Sequence, residues 1–436
     1  MYTIDTTTES INSTGGMAII GRIAEKIQLF TGKSQSNTIT DEEIIRCMYG
    51  LICQGRFSYE ELNIFKNDPL FKNALHIKNI PSPVTFRLYL EKIADELPLW
   101  QDKLHQHNVS LLQKVTITPI EIQKRKYIPV DIDVSPFDNS DSKKEGVSFT
   151  YKKHDGYAPI FSYIGREGFM LDCELRPGSQ HCQKNTPEYL LHNLKLIEQL
   201  KIKEKLLFRL DSGNDAPKNL KILLKSKHFF LIKRNIRREN KEQWLDTAKV
   251  LGAAKKIREG KIVYTGVKAG VVHPKDESIQ GMDIVFRVTE RTIDKSGNML
   301  LFPEVEVESY WTNLYENPED CIKLYHDHGT SEQFHSELKS DMNVERFPSG
   351  KMKVNKLLLS IAMLAFNSLR MIGQLSLSDK SILPYKTKSF RKRLGKVISD
   401  LIFVGCKVVK RSRQFILRLW DQNPWYRVFK AVYESV

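Results

Sequence analysis

"KYIPVDIDVSPFD", residues 126–138, is where the chain changes its period, and its reading decides the fold. Upstream, from about residue 38 to 115, apolar residues recur at helical spacing between short connectors. Here a short apolar run meets acids: Val130, Ile132 and Val134 alternate with Asp131 and Asp133, the period of a strand. Two more strand-like stretches follow, GYAPIFSYIG (156–165) and FMLDCELRPGS (169–179), with Gly-rich turns between them. A helix is expected at 185–202, with Thr186 as its cap, Pro187 in its first turn and Leu190, Leu194 and Ile197 along one stripe. KLLFRLDSG (205–213) then reads as a buried strand, APKNLKILLKSK (216–227) as a helix and HFFLIKR (228–234) as a strand. The order is β-β-β-α-β-α-β, an α/β chain.

Outward from this block, residues 261–272, 282–293 and 298–314 add a charged, strand-rich segment, with Lys295-Ser296-Gly297-Asn298 as a hairpin turn. On the other side, Thr40 and the pair Ser82–Pro83 mark helix starts. Residues 1–37, rich in Thr, Ser, Asn and Gly, read as a flexible segment. Helices return at 326–339 and 354–375.

The 436 residues carry 67 Lys and Arg against 52 Asp and Glu, a net charge of +15, which points to a polyanionic partner and first to nucleic acid. Six cysteines, at 47, 53, 173, 182, 321 and 406, form no CxxC pair, so neither a zinc framework nor a disulfide framework is expected. The first residues are polar and acid-bearing, unlike a signal peptide. KLLLSIAMLAFNSL (356–369) is too short and interrupted to span a bilayer. A soluble, intracellular protein without a membrane partner is the expectation.

Three acids hold telling places. Asp133 ends the first strand, Asp211 ends the fourth, and Glu332 lies on a late helix. In a mixed sheet of this order the C-terminal ends of strands one and four can be neighbours, and a helix across that edge can add a third carboxylate. Such a set suits Mg²⁺ or Mn²⁺. Two such ions can activate a water or a 3′-hydroxyl and stabilise the leaving oxygen of a phosphodiester. Asp131, Asp138 and Asp141 compete with Asp133, and a strand-end Asp is also an ordinary turn residue. In HDHGTSEQFHSELK (326–339), His328, Glu332, His335 and Lys339 share a helical face, and Phe334, Leu338 and Met342 an adjacent apolar one. An amphipathic helix with a solvated charged face has the same pattern.

Extended to Tyr325, this helix resembles the Tyr-x2-Arg-x3-Glu-x6-Lys signature of DDE transposases from bacterial insertion sequences. Tyr325, Glu332 and Lys339 match it, and His328 stands where Arg is expected. DIDVSPF, GYAPIFSYIG, ELRPGS, FRLDSG, YWTNL and LLSIAMLAFNSLR look like that family's successive blocks. The upstream FSYEELNIFKNDPLFKNAL and the ending from SFRKRLGKVI to NPWYRVF resemble the insertion-sequence family numbered thirteen-eighty, over about residues 40–430 in all.

The resemblance implies an RNase H-like catalytic domain with a β-strand insertion, flanked by an N-terminal helical domain and a C-terminal helical basic region. The expected boundaries are 1–37 flexible, 38–125 helical and DNA-binding, 126–234 first part of the core, 235–312 insertion, 313–375 second part with the catalytic helix, and 376–436 basic tail. It implies Asp133, Asp211 and Glu332 as the catalytic ligands of two Mg²⁺ ions, with Mn²⁺ able to substitute. Asp133 is preferred to Asp131 because Asp-Val-Ser matches the family's Asp-x-Thr/Ser. Tyr325 and Lys339 would contact transposon-end DNA. His328 would offer a phosphate a partly charged donor rather than an Arg fork.

Lys233, Arg234, Arg391, Lys392 and Arg393 are candidate DNA-phosphate contacts within basic runs. Trp311 is a candidate platform for an extruded base, with a core role as the competing reading. Arg176 and His181 are read either as facing the active-site edge or as turn residues. The expected protein is a DNA transposase that binds its element's terminal inverted repeats, then cleaves and transfers strands into double-stranded target DNA. It would work as at least a dimer during synapsis, in a bacterial cytoplasm beside the nucleoid. A nuclease with the same site, or a non-catalytic DNA-binding descendant, is the alternative.

Overall fold

Residues 2–29, 39–412 and 414–436 are described by the structure, a computed structural model. The longer N-terminal helices are α1 (Met17–Lys26), α2 (Asp41–Ile52), α3 (Pro83–Asp95) and α4 (Leu97–Leu112), with a short one at Pro69–Ala74. The expected starts of α2 and α3 are present. The Thr40 hydroxyl accepts the Glu43 N–H while the Glu43 carboxylate accepts the Thr40 N–H, and Ser82 accepts the Thr85 N–H just before Pro83.

Helix α1 lies inside the segment read as flexible, yet Met17, Ile19, Ile20 and Ile23 are fully buried. The glycines before it serve close approach rather than freedom. Gly15 and Gly16 N–H groups donate to the Val404 and Ile402 carbonyls, and a Cβ on Gly16 would lie 2.1 Å from the Leu401 carbonyl oxygen.

The alternation at 126–138 becomes β1 (Arg125–Val134). Then come β2 (Ile160–Ile164), β3 (Phe169–Glu174), α5 (Thr186–Leu200), β4 (Lys205–Leu210), α6 (Pro217–Ser226) and β5 (Phe229–Lys233). The order is the one read from the sequence. Thr186 is the first residue of α5 rather than its cap: Asn185, in the left-handed region at φ +62, precedes it, and the Thr186 hydroxyl donates to the Cys182 carbonyl.

Residues 235–312 contain α7 (Lys241–Leu251) and a meander of β6 (Gly252–Arg258), β7 (Lys261–Val271), β8 (Met282–Ile293) and β9 (Met299–Thr312). The last strand pairs back onto β5, so this segment extends the main sheet. The full order is β6-β7-β8-β9-β5-β4-β1-β2-β3, with Ile120–Ile122 beside the start of β1. Strands β1, β4 and β5 are mutually parallel, and β2 and β3 are antiparallel to β1 and to each other respectively.

Beyond the sheet, α8 (Pro318–His326) and α9 (Ser331–Ser336) form the late helical segment, and α10 (Met352–Ser376) follows. With 25 residues and a mean hydropathy of 1.4, α10 is longer than the interrupted run suggested, and 94% of its most apolar window is buried inside the protein. It packs against α2, α3, α4 and β3. Leu357, Leu358, Ile361, Leu364 and Phe366 are fully buried, each worth about 1.5–3 kcal/mol over exposure. The tail is not wholly helical: β10 (Cys406–Arg411) and β11 (Gln414–Leu419) form a hairpin joined by Ile11–Asn12, and α11 (Tyr426–Ser435) follows. Val408, Val409, Phe415 and Ile416 suit a pleated surface, a preference the surrounding charges disguised.

Candidate active site

Parallel pairing of β1 with β4 sets Ile132 opposite Leu210, so Asp133, still in β1, lies beside Asp211, the residue after β4. Neighbouring strands lie about 4.8 Å apart. Asp211 is largely buried and its carboxyl is pushed up, first by burial and then by the negative charge of Asp133. Its Oδ1 accepts the Asn214 side-chain N–H at 2.6 Å. Burial also pushes Asp133 up, but His335 and the charge of His328 outweigh it and hold Asp133 below the usual carboxylate range. His335 Nε2 lies 3.5 Å from Asp133 Oδ2.

Asp131, the competitor, is committed elsewhere. It is 2% exposed and gripped at both oxygens by Arg209, while His328 Nδ1 lies 3.0 Å from its Oδ1. Arg209 also donates to the Leu324 carbonyl at 2.6 Å, tying the end of α8 to the sheet.

The segment 326–339 is helical but not one regular helix. A 3₁₀ turn (Asp327–Thr330) precedes α9 and a π-turn (Glu337–Asp341) follows it; π-bulges of this kind are frequent at functional sites. Three members of the expected stripe face β1 and the residues just after it: His328 meets Asp131, His335 meets Asp133, and Lys339 Nζ donates to the Pro136 carbonyl at 2.6 Å. Burial lowers the Lys339 pKa, with Lys152 beside it adding to the effect. Glu332, between them, is exposed.

One residue that the sequence reading passed over lies beside the end of β1. Tyr151 donates its hydroxyl to the Val134 carbonyl at 2.8 Å. Burial raises its phenol pKa, and the charges of Asp133, Asp211 and Glu332 raise it further. The charges of all three acids are thus felt at one hydroxyl. Asp133, Asp211 and Glu332 are not, however, among the described groups whose ligand atoms all lie within 4.8 Å of one another. Tyr151 and Lys152 sit in a loop whose only sequence signal was an aromatic residue in a basic turn.

The remaining candidates are placed as follows. Tyr325 is 9% exposed and packs on Tyr310 and His328, with ring centroids 4.5 and 5.7 Å away. Trp311 is a core residue: it is 1% exposed, its indole N–H donates to Asp215 and its ring is covered by Arg234 at 4.5 Å, so it offers no open stacking face. Lys233 is half-buried at the end of β5, and Arg234 is buried and paired with Glu239. Arg176 is buried with Glu174, and His181 is exposed.

Of the tail residues, Arg391 pairs with Glu337, Lys392 with Asp400 at 2.8 Å and Arg393 with Asp341 at 2.8 Å. The expected phosphate contacts are thus ion pairs within the chain, because acids distant in sequence come to lie beside them. Basic charge does gather around Asp215. A hollow of about 480 Å³ is lined by Asp215, Arg234, Arg237, Arg238, Lys275 and Trp311, among others.

Two carboxylates thus lie at the ends of adjacent strands, with a third on the late helical segment. The chain belongs to the family described as Transposase DDE domain group 1, whose profile matches residues 2–436. Among solved structures it is similar to a piggyBac transposase synaptic complex with hairpin DNA, studied by cryo-EM. That likeness has 11% identity, covers 90% of this chain and 82% of that one, and has a TM-score of 0.43, a distance at which it settles neither fold nor function. No curated protein matches the chain.

Proposed function

We propose that this transposase has an RNase H-like core and belongs to the insertion-sequence family numbered thirteen-eighty. In this reading it binds its element's terminal inverted repeats, cuts one strand at each end and joins the freed 3′-hydroxyl to double-stranded target DNA. The observation that carries the reading is the parallel register that sets Ile132 opposite Leu210, which puts Asp133 of β1 beside Asp211 just past the end of β4.

Asp133, Asp211 and Glu332 would hold two Mg²⁺ ions, or Mn²⁺ in their place. The donors are hard oxygens, and the repulsion that raises Asp211 is the kind a divalent cation relieves. When bound, such ions supply Lewis acidity at the phosphodiester and lower the pKa of the attacking water. The protein's own groups do the positioning. His335 steadies Asp133, Asn214 orients Asp211, and Tyr151, bonded to the Val134 carbonyl, would flank the scissile strand. Lys339 and Lys152 would set positive charge beside that strand, and the basic hollow near Asp215 would follow the DNA backbone. Tyr325 and His328 would support the catalytic helix from within. Synapsis of two ends calls for a dimer, and the DNA substrate calls for a bacterial cytoplasm beside the nucleoid.

The test is incubation of the purified chain with labelled element ends and Mg²⁺, scored for 3′-end nicking and for joining of pre-cleaved ends. Nicking without joining would make the protein a nuclease. Neither activity, with intact end binding, would leave a DNA-binding descendant.

A further inference from the structure

A second cluster of ligating side chains lies on the other face of the sheet from Asp133. Asp172 in β3 pairs with Ser162 in β2, which pairs with Ile132 in β1. Side chains alternate along strands, so Asp172 and Asp133 project to opposite sides. Accordingly Ile132 shares its core with Leu190 and Leu196 of α5, whereas Phe161, opposite Asp133, belongs to the core around α10.

Two histidines from different helices reach Asp172. His105 of α4 places Nε2 at 2.7 Å from Oδ1, and His192 of α5 places Nδ1 at 2.9 Å from Oδ2. One ligand atom from each of the three residues lies within 4.8 Å of the others. The carboxylate is held from outside the cluster as well: the Cys173 backbone N–H donates to Oδ1 at 2.7 Å and the Asn193 side chain donates to Oδ2 at 3.3 Å.

The ring of His105 is also bonded to the Gln101 carbonyl one turn back on its own helix. An imidazole that gives one N–H to a backbone carbonyl presents its other nitrogen as a lone pair when neutral, which is the usual support of a metal-ligating histidine. A lone pair aimed at a carboxylate is repulsive unless a cation or a proton lies between them. Beside the cluster a hollow of about 580 Å³, bordered by Asp102, Glu174 and Glu188, leaves room for water and further oxygen donors.

We propose that His105, Asp172 and His192 form a binding site for a divalent transition-metal cation of the zinc class. Two imidazole nitrogens and one carboxylate are borderline donors suited to Zn²⁺, in contrast to the all-oxygen set around Asp133. The cation would bridge α4, β3 and α5, stapling the N-terminal helices to the back of the sheet. This site is independent of the proposed DNA chemistry.

The test is calorimetric titration of Zn²⁺ into the untagged full chain carrying Asp133→Asn and Asp211→Asn, so that the acid site does not contribute. One equivalent should bind, and Co²⁺ in its place should give the visible bands of a nitrogen- and oxygen-ligated ion. His192 is 40% exposed, so His192→Ala should fold. It should weaken Zn²⁺ binding at least about tenfold, the smaller end of what even outer-shell partners cause, and abolish the Co²⁺ spectrum. His105→Gln is the second variant. Failure of the parent to bind Zn²⁺, or equal binding in both variants, would overturn the proposal and leave the cluster a protonated salt bridge.

Discussion

Arg209 and Asp131 meet in a two-pronged ion pair beneath the acid site, Nε to Oδ1 at 2.6 Å and Nη2 to Oδ2 at 2.7 Å. Both side chains are 2–3% exposed. Removing one partner of such a pair leaves a buried charge alone and typically costs about 3–5 kcal/mol. Arg209→Met should therefore destabilise the protein on that scale in urea unfolding, and it also frees the Leu324 carbonyl. A loss below about 1 kcal/mol, the range of exposed pairs, would show that Asp131 finds another counter-charge.

Asp211 should behave in the opposite way. It is pressed by the charge of Asp133 rather than neutralised, so Asp211→Asn should abolish strand nicking while the melting temperature holds or rises slightly. Asp133→Asn should also abolish nicking but lower the melting temperature, because His335 and His328 favour the charged carboxylate. Glu332→Gln should abolish nicking too, and chelation of divalent ions should stop cleavage without unfolding the chain. Full nicking by Asp133→Asn, with Asp131→Asn inactive yet folded, would move the catalytic role to Asp131.

The difference between these two aspartates shows what sequence alone could reach. The order of strands and helices was legible because Val, Ile and acid residues alternate at 126–138 and the following helices begin at Pro187 and Pro217. The ends of β1 and β4 were legible to within a residue, since Asp133 is the last but one of β1 and Asp211 follows β4. What stayed hidden was long-range pairing. Arg391 and Glu337 are 54 residues apart, and Arg209 and Asp131 are 78 apart, so nothing local distinguishes a DNA-facing Arg from a paired one. For Trp311 the core role, one of the two readings, is the one the structure shows, but its cover, Arg234 and His273, comes from elsewhere in the chain. The glycines at 15 and 16 were read as freedom because the backbone they touch, near Leu401, is distant in sequence.

Lys339 lies on the site side of the helix, with only part of its side chain exposed. If it meets a phosphate, Lys339→Ala should weaken end binding and reduce the slope of log K against log salt by about one contact. Binding of divalent ions should survive. An unchanged slope would leave Lys339 as a strut to Pro136 only.

His328 offers a sharper test of its departure from the family signature. Its Nδ1 is turned toward Asp131, which already holds the Arg209 fork, and the residue is 7% exposed. A longer side chain in this filled space should cost about 1–3 kcal/mol, as overpacking usually does. His328→Arg is thus expected to lower the melting temperature, and His328→Ala to lower it through loss of the Asp131 bond. An Arg variant as stable as the parent and more active in nicking would mean that the guanidinium escapes toward DNA.

Glu337 joins the late helical segment to the tail. It sits on the π-turn, 3.0 Å from Arg370, paired with Arg391, and accepts the Leu394 N–H at 2.8 Å. Burial pushes its carboxyl up, but the two guanidinium groups outweigh that and hold it below the usual range. A carboxyl with a depressed folded pKa contributes stability that is fully present above its unfolded value of about 4.3 and is lost as pH falls through the folded value. Glu337→Gln cannot titrate and leaves Arg370 buried without its counter-charge. The variant should be less stable than the parent by about 3 kcal/mol or more at neutral pH. The gap should narrow as pH falls below about 4.3, because the parent then loses the same charge. Urea unfolding of both proteins between about pH 3 and pH 7 brackets that carboxyl titration and measures the gap. A constant gap across the range would mean that Glu337 acts through packing and its bond to Leu394 rather than through its charge.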